Sequence, residues 1–130
     1  MRRITLNVGP ALLFAALVFY LSAQSRLPVS LPLLPHVDKV AHACEYAVFA
    51  VLVARAVSAY GVARWRLWAV TVLICSLYGA SDELHQLFVP GRDADPVDWV
   101  VDTVGSAIGA FAWLVATRSV PGGRRVEEGR

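Results

Sequence analysis

Four apolar runs, residues 4–23, 39–60, 67–89 and 97–117, limit what this chain can fold into. A helix of about 20 residues, rising about 1.5 Å per residue, covers the hydrocarbon core of a bilayer. Of the 130 residues, 57% are hydrophobic, whereas a soluble domain holds about 45–50%. That excess lies in the four runs, and the mean hydropathy is +0.55. The expected fold is therefore all-α: a polytopic integral membrane protein with a four-helix transmembrane bundle. One domain should occupy residues 1–117. Residues 118–130, with Pro121-Gly122-Gly123 and mixed charges, read as a disordered tail.

The joints between the runs carry their own signals. Pro10 is expected to kink the first helix. Arg2-Arg3 ahead of an apolar run also fits the opening of a secretory signal peptide, but the run exceeds the usual hydrophobic region of about 7–15 residues, so a retained helix is expected. Pro28, Pro32 and Pro35 make residues 24–37 an extended or interfacial loop, after which Asp38 is placed to cap the second helix. Arg64 and Arg66 beside Trp65 and Trp68 form an interfacial anchor, and Tyr60, Trp99 and Trp113 fit an aromatic belt. Pro90-Gly91 ends the third run. Cys44 and Cys75 have no metal-type spacing and read as small buried apolar residues.

Charge distribution sets an orientation. The formal charge of +2 is too small to suggest nucleic acid. In a four-span arrangement Arg2, Arg3, Arg64, Arg66, Arg118, Arg124, Arg125 and Arg130 fall on one side, and Arg26, Lys39 and Arg92 on the other. Positive residues favour the cytoplasmic face, so both termini and the tail should be cytoplasmic. The setting would be the inner membrane, crossed several times. Arg55, at the end of the second run, can snorkel to water.

That orientation gathers the polar residues at the outer end. Between Tyr78 and Asp102 the chain carries Asp82, Glu83, His85, Gln86, Arg92, Asp93, Asp95, Asp98 and Asp102. Ionisable residues inside a span are costly and point to function. At about 100° per residue, Asp38, His42 and Glu45 share an arc of roughly 60°. Tyr78, Asp82 and His85 share another, and Asp98, Asp102 and Gly105, with Gly109 a turn further, a third. Three polar stripes facing lipid would be costly, so they should face one another. Glu83 points about 100° from Asp82, toward the first helix. Gly105 and Gly109 form GxxxG, which suits close packing within the bundle and also a helix-mediated homo-oligomer.

These residue types permit several chemistries. Lys39 and Arg92 could clamp a phosphate, with Asp38 and Asp98 orienting them. The same residues also suit caps and internal salt bridges. His42 and His85 could act as acid, base or nucleophile, each beside a carboxylate such as Asp82. A divalent metal ion would draw on Glu45, Asp82 and His85, because His42-x-x-Glu45 and Asp82-x-x-His85 put ligand types one turn apart.

The order of these elements resembles the VanZ-like membrane protein family. The matching residues are Ser22-Ala23-Gln24, Asp38-Lys39-x-x-His42-x-x-x-Tyr46, Tyr78-x-x-x-Asp82-Glu83-x-x-Gln86, Pro90-x-Arg92, Asp98 and Gly105-x-x-x-Gly109. They cover residues 20–110 or so and add Tyr46 and Gln86 to the candidate binding residues. Asp102 departs from the pattern, since the family often has Asn there. The resemblance implies a small multi-span protein of the bacterial cell envelope, with one branch associated with resistance to the glycopeptide teicoplanin. Three functions remain open. The first is binding or processing of a lipid-linked phosphate at the outer membrane face. The second is non-catalytic modulation of antibiotic susceptibility through a partner or a lipid. The third is a small proton-coupled carrier, which the apolar cytoplasmic halves of the spans disfavour.

Overall fold

The computed structural model describes residues 2–24, 37–92 and 94–119. The proline-rich segment with Arg26, the position of Asp93 and the tail beyond Ser119 lie outside them. Among the described residues the fold is entirely helical: α1 (Arg2–Ser22), α2 (Val37–Ser58), α3 (Arg64–Gln86) and α4 (Pro96–Ala116), then a single 3-10 turn, Thr117–Ser119. Three helices, α2, α3 and α4, are long and apolar enough to cross a membrane, and α1 has a shorter apolar stretch, Leu6–Ser22.

Several helix bounds differ from the sequence expectation, for local reasons. Helix α2 begins at Val37, so Asp38 sits inside its first turn instead of capping it. Helix α3 stops at Gln86, before 89, because Pro90 has no N–H and disfavours helical geometry at Val89. The chain leaves α3 through short-range bonds from Phe88 N to His85 O and Val89 N to Gln86 O. Arg92 N then bonds Val89 O at 3.1 Å, and Gly91 has φ +81°. Pro then Gly at the centre is the type II turn arrangement, which needs positive φ at its third residue. The fourth helix starts on a strong cap: the Asp95 side chain accepts from Val97 N at 2.9 Å, with Pro96 at the first helical position. Asp-Pro in this order is an N-cap signature.

Helices consecutive in the chain run antiparallel, so α2 and α4 run parallel, with Lys39 beside Asp98 and Ala47 beside Gly109. At one end Arg55 Nη2 of α2 reaches Leu6 O of α1 at 3.4 Å, and Arg64 of α3 donates to Leu114 O of α4. At the other, Arg92 donates to the last turn of α1. Helices α2 and α4 pack most extensively, α1 lies on α2, and among the described residues α1 and α4 do not touch. The α2–α4 approach depends on the GxxxG motif. A Cβ on Gly105 would lie 2.3 Å from Ala43 O, and one on Gly109 2.1 Å from Ala47 O. The small-residue stripe is thus used inside the bundle, against a matching alanine pair on α2.

The burial pattern is that of a protein solvated by lipid. Leu13, Leu77, Ile108 and Phe111 are exposed, whereas Thr71, Ser106, Asp82, Glu83, Gln86 and Asp102 are buried. An aromatic cluster of Phe14, Phe49, Tyr46 and Tyr78 closes the space between α1, α2 and α3. Cys75 is buried but Cys44 is exposed. Cys44 lies two positions from Tyr46 on α2, about 200° round the helix, and so misses the buried face.

Candidate functional site

The polar stripes of α2 and α4 meet, as their helical phases require. Lys39 of α2 bonds Asp98 of α4 and, at 2.7 Å, Asp95 Oδ2 of the preceding turn. Asp38 stands 3.8 Å from the same ammonium but is largely exposed. One turn deeper, His42 Nδ1 lies 3.1 Å from Asp102 Oδ1. The Asp102 side chain is only 2% exposed and that of His42 25%. A buried carboxylate accepting from Nδ1–H fixes the imidazole tautomer and leaves Nε2 as the basic nitrogen. Ser106 Oγ donates to Asp102 O at 2.7 Å, adding a bond within the same turn of α4.

Helix α3 closes the third side through Gly79. A Cβ there would stand 3.4 Å from both Tyr46 Oη and Asp102 Oδ2, so the missing side chain lets three helices converge on this point. Tyr46 is 1% exposed, and its hydroxyl has no partner among the described residues. Asp82 accepts from Gln86 Nε2 at 3.1 Å through Oδ2, while its buried Oδ1 is also unpartnered. Glu45, half-buried, lies in the electrostatic field of His42, Asp102, Asp82 and Arg92. Unpartnered buried polar atoms are rare in folded proteins, and each calls for an account. The Tyr46 hydroxyl stands against Gly79 on the same side as Asp102 of the pair.

Other candidates are placed differently. His85 stacks on Phe19 of α1, with ring centroids 4.6 Å apart, and its Nε2 is buried without a partner. It therefore faces the α1–α3 seam, away from the His42–Asp102 contact. Arg92 donates from Nε to Gln24 O at 3.1 Å and from Nη2 to Leu21 O at 3.0 Å. It caps the C-terminal carbonyls of α1, where a cation also complements the helix dipole. Among the described residues no carboxylate is paired with it. Glu83 turns away from α1 and accepts from Asp95 N at 2.9 Å. It ties the end of α3 to the cap of α4. Among the described residues, no three His, Cys, Asp or Glu side chains form a metal cluster. Glu45, Asp82 and His85 thus make no ligand set.

Asp95, outside the membrane-spanning helices, is shifted by its partners. Its carboxyl lies below the usual carboxylate range, chiefly through its hydrogen bond from Lys39, with Val97 N–H adding to it.

The i+4 spacing puts Asp102 on the inward stripe of α4 with Asp98 in the sequence reading, but that reading gives it no binding or catalytic role. Gly79 carried no signal, because its role depends on how closely α3 approaches Tyr46.

Comparison with known proteins places a match across nearly all of this architecture. A sequence profile of the VanZ/LLP1 family matches residues 5–117, from α1 to the end of α4. No curated protein and no solved structure matches the chain.

Proposed function

Because this chain belongs to the VanZ/LLP1 family of membrane proteins, we propose that it is a cell-envelope protein that binds the headgroup of a lipid-linked phosphate at its polar end, with His42 as the acid–base group. In this reading all four helices span the inner membrane, both termini are cytoplasmic, and the polar end faces outward. The observation that carries it is the His42–Asp102 pair at 3.1 Å, a partly exposed imidazole oriented by a buried carboxylate. Such a pair can take a proton at Nε2 from a bound hydroxyl or water and return it. Arg92 is the cation for the phosphate, since its present partners are neutral carbonyls. Lys39 is committed to Asp95 and Asp98 and holds the α2–α4 contact. Tyr46, Asp82, Gln86 and Glu45 line the inner wall. His85 is assigned to the α1 seam, and a divalent ion would have to arrive with the ligand.

A second reading has a specific support. Acidic side chains outnumber cations at this end, and both Lys39 and Arg92 already have partners. A non-catalytic protein that alters glycopeptide susceptibility through a lipid or a partner would need only this rigid polar end. Native mass spectrometry of the detergent-purified protein, with lipid identification, separates the two. Under the first reading a phosphorylated lipid co-purifies with the wild type, is lost with Arg92→Ala, and accumulates unprocessed with His42→Gln. Retention of the same lipid by all three would defeat it and leave the second.

A further inference from the structure

The opposite end of the bundle carries a separate open cleft of about 490 Å³ between the start of α3 and the end of α4. That volume is in the range of small-ligand sites, about 300–1,000 Å³. Its wall is apolar, made by Trp65, Trp68, Phe111 and Leu114, and Arg64 and Arg118 stand at its rim. Two bonds keep the walls in place. Trp68 Nε1 donates to Ala107 O at 3.1 Å, and Arg64 donates to Leu114 O. Arg64 is thereby held at the rim with most of its guanidinium donors still free. Ala63, the N-cap of α3, offers no side-chain acceptor to the first amides of that helix, which adds partial positive charge beside the two arginines.

We infer that this cleft is a binding site for an anionic phospholipid, with its phosphate between Arg64 and Arg118 and an acyl chain along Trp68, Phe111 and Leu114. Charge complementarity selects the occupant. Among the described residues no carboxylate pairs with Arg64, Arg66 or Arg118, and every ion pair is at the other end of the bundle. A second copy docking by this face would set like charges together. A zwitterionic lipid offers the same phosphate but sets its own ammonium group beside the two guanidinium groups, a repulsion that a net anionic lipid avoids. A phosphate satisfies both through the planar fork of arginine, and anionic lipid is attracted by basic residues at the membrane surface by about 1 kcal/mol each. The site is independent of the polar end and of what binds there.

The test is native mass spectrometry of the full chain in nonionic detergent, titrated with phosphatidylglycerol or with phosphatidylcholine. The wild type should retain one phosphatidylglycerol with clear preference over phosphatidylcholine. R64Q/R118Q should weaken that retention about 30-fold, taking about fivefold per cation removed. R66Q, whose guanidinium lies over the Trp65 ring at 5.1 Å and which does not line the cleft, should change it little. Each single substitution, expected to cost about fivefold, carries the test if the double variant does not fold. Equal retention of the two lipids, equal loss in R66Q, or a dimer that forms as lipid is removed would each overturn the assignment.

Discussion

Gly105→Ala is the sharpest perturbation of the link between packing and the polar site. The added methyl would lie 2.3 Å from Ala43 O and 2.9 Å from Ala43 Cα. Ordinary contact begins at 3.4 Å, so α2 and α4 must separate by about 1 Å here. The obstacle is backbone and cannot rotate aside. Ala43 directly follows His42, and Gly105 lies about 4.5 Å along α4 from Asp102. The separation therefore stretches the 3.1 Å His42–Asp102 contact to about 4 Å, beyond hydrogen-bond range. Losing a hydrogen bond to a charged group costs about 1.5–3 kcal/mol, and overpacking about 1–3 kcal/mol. The sum, about 2.5–6 kcal/mol, should appear in reversible unfolding in mixed micelles, together with altered His42 ring-nitrogen chemical shifts. Gly9→Ala, with nothing within 4 Å of the added methyl, is the control and should be neutral or stabilising by up to about 1 kcal/mol, since alanine is the better helix former. A loss under about 1 kcal/mol with unchanged His42 shifts would refute the coupling of the glycine seam to the dyad.

Three more outcomes are expected. Asp102→Asn should preserve the fold, since an amide fits the same space, yet abolish any processing of bound lipid in a turnover assay, because Nε2 loses its anionic support. Tyr78→Phe removes the O–H that donates to Ala15 O at 2.6 Å and should cost about 0.5–1.5 kcal/mol by equilibrium unfolding, with the α1 end loosened first in hydrogen exchange. For Asp95 the sign follows from its lowered pKa. A depressed carboxylate adds stability above its unfolded value near about 3.9, and that stability is lost as pH falls through the folded value. Wild type should thus lose stability on acidification below about pH 4 more steeply than Asp95→Asn, and titrated unfolding of the two would expose a wrong sign.

The parts of this molecule that could be read in the sequence are those governed by helical periodicity. Lys39 and His42 on one helix and Asp98 and Asp102 on another share faces by spacing alone, and lipid leaves such faces nowhere to point except inward. The Gly105–Gly109 pair was legible for the same reason. What escaped the reading depends on distances between elements. The partners of Arg92 are hidden in the sequence because Leu21 O and Gln24 O are backbone atoms at and just beyond the end of α1, 71 and 68 positions away. Glu83 looked directed at α1, but Asp95 N, at the cap of α4, lies within bonding distance of it. The Asp95 cap itself could have been read from Asp-Pro ahead of an apolar run.

Helix α1 is grasped by its main chain. Tyr78 bonds Ala15 O, Arg92 bonds Leu21 O and Gln24 O, and Arg55 approaches Leu6 O. None of these donors consults the side chain at the position it holds. The outward-facing letters of this helix, such as Leu12, Leu13, Leu17 and Tyr20, are consequently free to drift so long as they stay apolar. Their spelling can follow the thickness and fluidity of whatever bilayer the cell makes, while Tyr78, Arg92 and Arg55 keep the helix in register.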